Sequence, residues 1–215
     1  MSAIPLRHTN RGKYHMTPIP ESFVSLLTAK EHDLKIFYIT DLQEKNSIAD
    51  IVNDAQIEAM ESPLFREELS HFIKSSYTKE HAGMPGFALE IPGPVSVIIP
   101  RLIRKVNLSK QNQKKDDALL KKHTPAFVII ASRNNAAQSW FEAGRLFERL
   151  WLEATRISLN CSPLAAAIQS PEHAEKLKKV LKTDWEPQVF FRVGFGEKPF
   201  RHSPRFTVEH LLKRA

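Results

Sequence analysis

The sequence predicts an α+β fold in which a central, mostly antiparallel sheet is surrounded by helices. Ala126 to Ser132 is an unbroken apolar run of the kind found in a strand covered on both faces. Trp140, Ala143, Phe147, Leu150, Ala154 and Ile157 then recur at steps of three and four, which marks a long amphipathic helix. Strand and helix patterns do not alternate strictly along the chain, and this argues against a parallel doubly wound sheet. With 215 residues, 42% of them hydrophobic, the chain can bury a sizeable core. No repeat, low-complexity tract or linker divides it, so a single domain over 1–215 is expected.

Pro18 and Pro20 lead into Glu21-Ser22-Phe23-Val24-Ser25-Leu26-Leu27, whose apolar spacing predicts a short helix. Leu34 to Thr40, rich in β-branched and aromatic residues, predicts a buried strand. Leu42 to Met60 lacks Gly and Pro and predicts a long helix. Ser62-Pro63 supplies a cap and a first-turn proline for another helix reaching about Lys74. From Ala82 to Pro100, Gly83-Met84-Pro85-Gly86 and Pro92-Gly93-Pro94 predict a loop-rich segment over a pocket or interface. The basic stretch near 101–125 is expected to be a solvated loop excursion. Ser170-Pro171-Glu172 opens a further helix, and Val189 to Phe195 forms the last strand.

The net charge is +7, and Arg101, Arg104, Lys105, Lys110, Lys114, Lys115, Lys121 and Lys122 carry much of the excess. No aromatic residue interrupts that stretch, so it lacks the stacking platforms of single-strand nucleic-acid binders, and no nucleic-acid partner is expected. No run of about 18 apolar residues is present, so no membrane partner is expected either. One cysteine, Cys161, and the lack of a signal-peptide pattern place the protein in the cytoplasm.

Arg7-His8-Thr9-Asn10-Arg11 gathers two guanidiniums, an imidazole and a hydroxyl within five residues, and guanidinium forks match phosphate oxygens. Ser203-Pro204-Arg205 offers a second half of such a clamp near the other end. Taken alone, short basic clusters are more often solvated surface. The nine histidines are scattered, without metal-ligand spacing, and no metal is expected. Cys161 has no accompanying catalytic signature and reads as packing, and the common Gly-rich phosphate cradles are absent.

An ordered set of segments resembles the nitroreductase family of FMN flavoproteins. It comprises Ser139-Trp140-Phe141-Glu142-Ala143-Gly144-Arg145, Leu150 to Arg156, Ser162-Pro163-Leu164, Pro187 to Gly196 and Ser203 to Leu212. The likeness is closest to the C-terminal half of the tandem, Acg-like branch, and it extends to residues 7–11. It implies a nitroreductase-like fold that binds FMN, takes electrons from NAD(P)H and passes them to a small nitroaromatic or quinone-type acceptor. In such enzymes the flavin performs the redox chemistry, so no catalytic side chain need be assigned. By position, Arg7, His8, Thr9 and Arg11 match the residues that hold the FMN phosphate and ribityl chain, and Arg205 matches the arginine that closes on the phosphate. The backbone facing the flavin ring falls at Pro163, Leu164, Ala165 and Ala166, with Ser162 just before. Pro163 has no N–H, which leaves Leu164, Ala165 and Ala166 as the donors.

Two departures set a rival expectation. The family's Ala-Pro-Ser…Asn-x-Gln-Pro-Trp stretch is replaced by Ser25 to Leu34, and its acidic-Gly pair by Ala165-Ala166. The resemblance therefore also fits a degenerate relative that sequesters flavin, or acts through a partner, without turnover. Completion of the site by a second copy in a homodimer, or by a missing N-terminal half, is implied. Trp140, Phe147 and Trp151 match the family's dimer-interface helix, although simple core packing would produce the same pattern.

Overall fold

The structure, a computed structural model, describes residues 3–28, 33–197 and 201–212, apart from the side chains of 110–112. The chain forms two compact units, one of residues 1–58 with 111–197, the other of 59–110 with 198–215.

The first unit is built on four strands, β1 (Leu34–Ile39), β4 (Ala126–Ser132), β5 (Asn160–Pro163) and β6 (Glu186–Gly194). They lie in the order β1-β4-β6-β5, and every pairing is antiparallel. All seven residues of β4 are buried because successive side chains enter different cores. Ala126, Val128 and Ile130 pack with Leu146, Leu150 and Ala154 of α6 (Ala137–Arg156) and with Phe23 and Leu27 of α1 (Glu21–Leu27). Phe127 and Ile129 face Ile48, Val52 and Ala55 of α2 (Leu42–Glu61) and Leu177 of α8 (Pro171–Val180). The strand that read as covered on both faces is so covered.

The second unit contains α3 (Pro63–Phe72), a two-stranded parallel pair of β2 (Ile73–Lys74) and β3 (Met84–Pro85), and α4 (Gly93–Lys105). The Ser62 hydroxyl accepts from the Phe65 N–H and opens α3, as the Ser-Pro pair predicts. Arg201 stacks over the Phe87 ring at 4.8 Å, and Phe206 stacks on His81 at 5.3 Å, so the C-terminal segment is clipped to this unit. The segment ends in α9 (Val208–Leu212).

Two expectations are corrected. The Gly/Pro-rich segment is not all loop, because Pro94 falls in the first turn of α4, where its missing N–H costs nothing. Pro100 inside the helix forfeits a hydrogen bond, and packing against α3 and β2 holds the helix nonetheless. Nor is the basic stretch near 101–125 a loop: it comprises the end of α4 and α5 (Ser109–Lys122), followed by the lead into β4. A row of charges has no apolar stripe to read, and α5 is anchored by few residues, Leu120 among them, and by the Lys121 contact to Asp50 of α2 at 2.6 Å, while its 2.7 Å pair with Asp117 lies within the helix.

Candidate functional site

The N-terminal basic segment lies along the open edge of β5. Thr9 forms a parallel bridge with Cys161, and the Asn10 N–H donates to the Cys161 carbonyl at 3.2 Å. Farther on, Tyr14 bridges Gly196, and the His15 N–H donates to the Phe195 carbonyl at 2.7 Å. Residues 9–15 are thus stitched to the ends of two strands from the far side of the sequence.

Arg192 of β6 organises this seam. It is 1% exposed and donates to the carbonyls of Asn10 at 3.3 Å and Gly12 at 2.7 Å. Its guanidinium sits 4.2 Å from the centre of the Tyr14 ring, and the Tyr14 hydroxyl donates to the same Asn10 carbonyl at 2.7 Å. The Asn10 side chain closes the turn by accepting from the Gly12 N–H and donating to the Glu197 carbonyl. Burial pushes the Tyr14 phenol well above its ordinary pKa against the opposing pull of Arg192, so it acts as a neutral donor. Glycine is required where the ring lands: a Cβ at Gly194 or Gly196 would come within 2.9 Å of Tyr14 carbons. Neither Arg192 nor Tyr14 was singled out by the sequence. The available signal was an arginine inside the apolar strand Val189-Phe190-Phe191-Arg192-Val193.

The predicted phosphate-holding residues occupy this seam and its approach. Arg11 is partly buried, and desolvation lowers its pKa, with Tyr14 opposing that shift. A guanidinium stripped of water gains from a nearby anion. Arg7 is committed to α6: its Nε lies 2.9 Å from Glu148 Oε1, and its guanidinium sits 4.5 Å from the centre of the Trp151 ring. His8 contacts the Leu6 carbonyl through Nδ1 at 3.1 Å, and Thr9 is half-buried at the bridge. No acidic residue occurs from Met1 to Pro20, so the segment is wholly cationic.

The Thr9–Cys161 bridge also sets the basic segment beside the corner where β5 turns into α7 (Ala166–Gln169). Pro163 and Ala165 are exposed there, and Leu164 and Ala166 half-buried. One expectation fails: the Leu164 N–H donates to the Phe190 carbonyl at 2.8 Å, extending the β5–β6 ladder, and is not available to a ligand. Ala165 and Ala166 open α7, where backbone N–H groups have no intrahelical acceptor. Arg205 belongs to the second unit, exposed in the segment before α9. Cys161 is fully buried, and burial alone raises its thiol pKa, which fits packing and not nucleophilic chemistry.

α6 has two characters. Phe147 and Trp151 turn into the unit, their rings 5.0 Å apart and Phe147 4.9 Å from Phe191. Trp140 and Phe141 are 55% and 65% exposed and border a shallow surface groove with Gly144, Arg145, Glu148 and Leu152. Of the three aromatics matched to an interface helix, two are therefore core and only Trp140 is surface.

No family model matches the chain. Two curated proteins from strains of Mycobacterium tuberculosis, MT3217 and Rv3131, provisionally named NAD(P)H nitroreductases, are each 23% identical to it over 217 residues. That alignment takes in 99% of this chain, which spans 61% of the length of each relative. Among solved structures, oxidized iodotyrosine deiodinase bound to FMN and 3-iodo-L-tyrosine superposes with a TM-score of 0.59 at 14% identity, covering 96% of this chain and 95% of that one. The FMN-dependent nitroreductase NfnB from Mycobacterium smegmatis, solved with NADPH, gives 0.59 at 12% identity over 96% and 93%. The fold is nitroreductase-like. The NADPH:FMN oxidoreductase from Vibrio harveyi, complexed with NAD+, has the same nitroreductase-like architecture at a TM-score of 0.56 and 10% identity, over 97% of this chain and 73% of that one.

Proposed function

We propose that this nitroreductase-like protein binds FMN and works as an NAD(P)H-dependent oxidoreductase on nitroaromatic or quinone-type acceptors. The observation that carries the reading is the Thr9–Cys161 bridge, which joins a cationic segment to an open helix start in a fold shared with FMN-bound proteins. Arg11, Arg7, Thr9 and His8 would hold the phosphate and ribityl chain, with Ala165 and Ala166 N–H groups toward the ring. Arg205 and Pro163 join this set on sequence grounds, Pro163 through shape alone because it has no N–H. Bound there, FMN would supply a ring able to accept hydride from the nicotinamide and release electrons to the acceptor. The chain's own task is then to bind, orient and shield. Arg7 must exchange Glu148 for phosphate, a small cost because a half-exposed ion pair is worth about 0–1 kcal/mol.

In this reading both units serve one nitroreductase-like domain over 1–215, most like the C-terminal half of the tandem branch. The exposed Trp140–Phe141 face of α6 is the proposed seat for a second copy or a missing N-terminal half. Small-molecule acceptors complete the partner set, and we place the protein in the cytoplasm.

A second reading, flavin sequestration without turnover, is favoured by one feature of the corner. Pro163 and Leu164 have no N–H to give, and Ala165-Ala166 adds no polar side chain. The test is FMN titration followed by steady-state oxidation of NADH and NADPH with a nitro or quinone acceptor. Arg11→Ala should weaken FMN by about 1.5–3 kcal/mol, the value of a charge-assisted hydrogen bond. Unchanged flavin affinity in both Arg11→Ala and Arg7→Ala overturns the binding site. Tight FMN with negligible turnover selects the second reading.

A further inference from the structure

We propose that α4 is an in-plane docking helix for an anionic phospholipid surface. One side of this 13-residue helix is structural: Ser96 and Ile103, two turns apart, are its buried residues, and it packs against α3 and β2. Another side is apolar and open. Val95, Ile98 and Leu102, with Val106 just past the helix end, recur at steps of three, four and four and are 38–56% exposed. Advancing about 100° per residue, Lys105, Arg101 and Arg104 follow beyond Ile98, all exposed. An apolar stripe bordered by cations is the pattern of helices that lie at the boundary between headgroups and acyl chains.

Charge selects the occupant. No acidic residue occurs from Ile91 to Lys115, so the helix that bears the stripe carries no negative charge of its own to repel an anionic surface. Among the unit's other exposed apolar side chains, Leu64, Phe65 and Phe72 share α3 with exposed Glu67 and Glu68, and Val208, Leu211 and Leu212 share α9 with exposed Glu209, so neither helix has that property. The stripe is also wholly aliphatic. Protein–protein hot spots favour Trp, Tyr and Arg in packed pockets, whereas acyl chains accept any aliphatic side chain. At about 20 Å long, α4 is too short to cross a bilayer, and no helix among the described residues is long and apolar enough to do so. The sequence expectation of no membrane partner rested on spanning, which an in-plane helix does not require.

The test is flotation of the full chain with vesicles made from equal parts phosphatidylcholine and phosphatidylglycerol, against vesicles of phosphatidylcholine alone, at near-physiological salt. Binding to the anionic vesicles only is expected. Ile98→Glu and Leu102→Glu should each reduce it on the order of tenfold, and Arg101→Gln, Arg104→Gln and Lys105→Gln together about a hundredfold, since each cation near the surface is worth about fivefold. Leu64→Glu should leave binding unchanged. All these positions are exposed, and unaltered melting curves would confirm that folding is intact. Absence of vesicle binding, or binding indifferent to Ile98→Glu, overturns the proposal. So does finding that Ile98→Glu abolishes self-association, or capture of an acidic protein, while vesicles do not bind. None of these outcomes depends on flavin.

Discussion

The two units are held together by different means. In the first, a four-stranded sheet is covered on both faces, with Phe127, Ile129, Leu150, Phe190 and Phe191 essentially inaccessible. In the second, the only buried residues among those described are Ser70, Ile73, Pro85, Gly86, Ser96 and Ile103, while Leu64, Phe72, Tyr77, Ile98 and Leu211 lie open. Its cohesion comes from short polar links: Ser96 Oγ accepts from the Ser76 N–H at 2.8 Å and donates to the Gly93 carbonyl. Apolar burial is the dominant favourable term in folding, and hydrogen bonds mainly avoid a penalty. The first unit therefore has a large driving force of its own. The second has little, and its open apolar surface is available for contacts with other molecules.

This contrast can be broken by substitution. Leu150→Ala, in the core of the first unit, should lose about 3–4 kcal/mol by chemical denaturation, because the cavity cannot collapse against a packed sheet. A loss below 1 kcal/mol would place that core on a par with the second unit. Arg192→Leu should cost about 2–4 kcal/mol, since it leaves two carbonyls without their buried charged donor. It should also raise amide exchange at Asn10 and His15 well before β4 opens. Equal protection in both places would mean the seam does not depend on Arg192.

Gly86→Ala probes the second unit where it is tightest. Its Cβ would meet Ser96 Cβ at 2.5 Å and Ser76 Oγ at 2.7 Å, and overpacking of this kind costs about 1–3 kcal/mol. The loss should appear in exchange of α3 and α4 amides and not in β4. The smallest effect belongs to Glu148→Gln, which releases Arg7 from its ion pair: stability should change by less than about 1 kcal/mol, and FMN affinity should rise by a similar amount. A weaker affinity would mean that Glu148 holds Arg7 in its useful position.

Much of the first unit could be read from local pattern. β4 is written as consecutive apolar residues, α6 as a three-and-four spacing, and α3 as a Ser-Pro start, and each appears where expected. β5 could not be read, because Asn160-Cys161-Ser162-Pro163 has no periodicity and becomes a strand only by pairing with β6. α4 was hidden because Gly and Pro signal a break unless they fall at a helix start, which only the fold establishes.

The candidate site divides in the same way. The cationic character of residues 7–11 and the lack of an N–H at Pro163 are properties of the residues themselves, fixed by composition. That Thr9 meets Cys161, that Arg192 clamps the seam, that Arg7 is engaged by Glu148 and that the Leu164 N–H is consumed by Phe190 are outcomes of pairing between distant segments. Sequence by itself determined the amphipathic helices, the buried central strand and the anion-seeking chemistry, because these depend on residue type and short-range spacing. Only the tertiary structure decided which donors remain open, because a hydrogen bond formed across the chain removes a group from use without leaving any local trace.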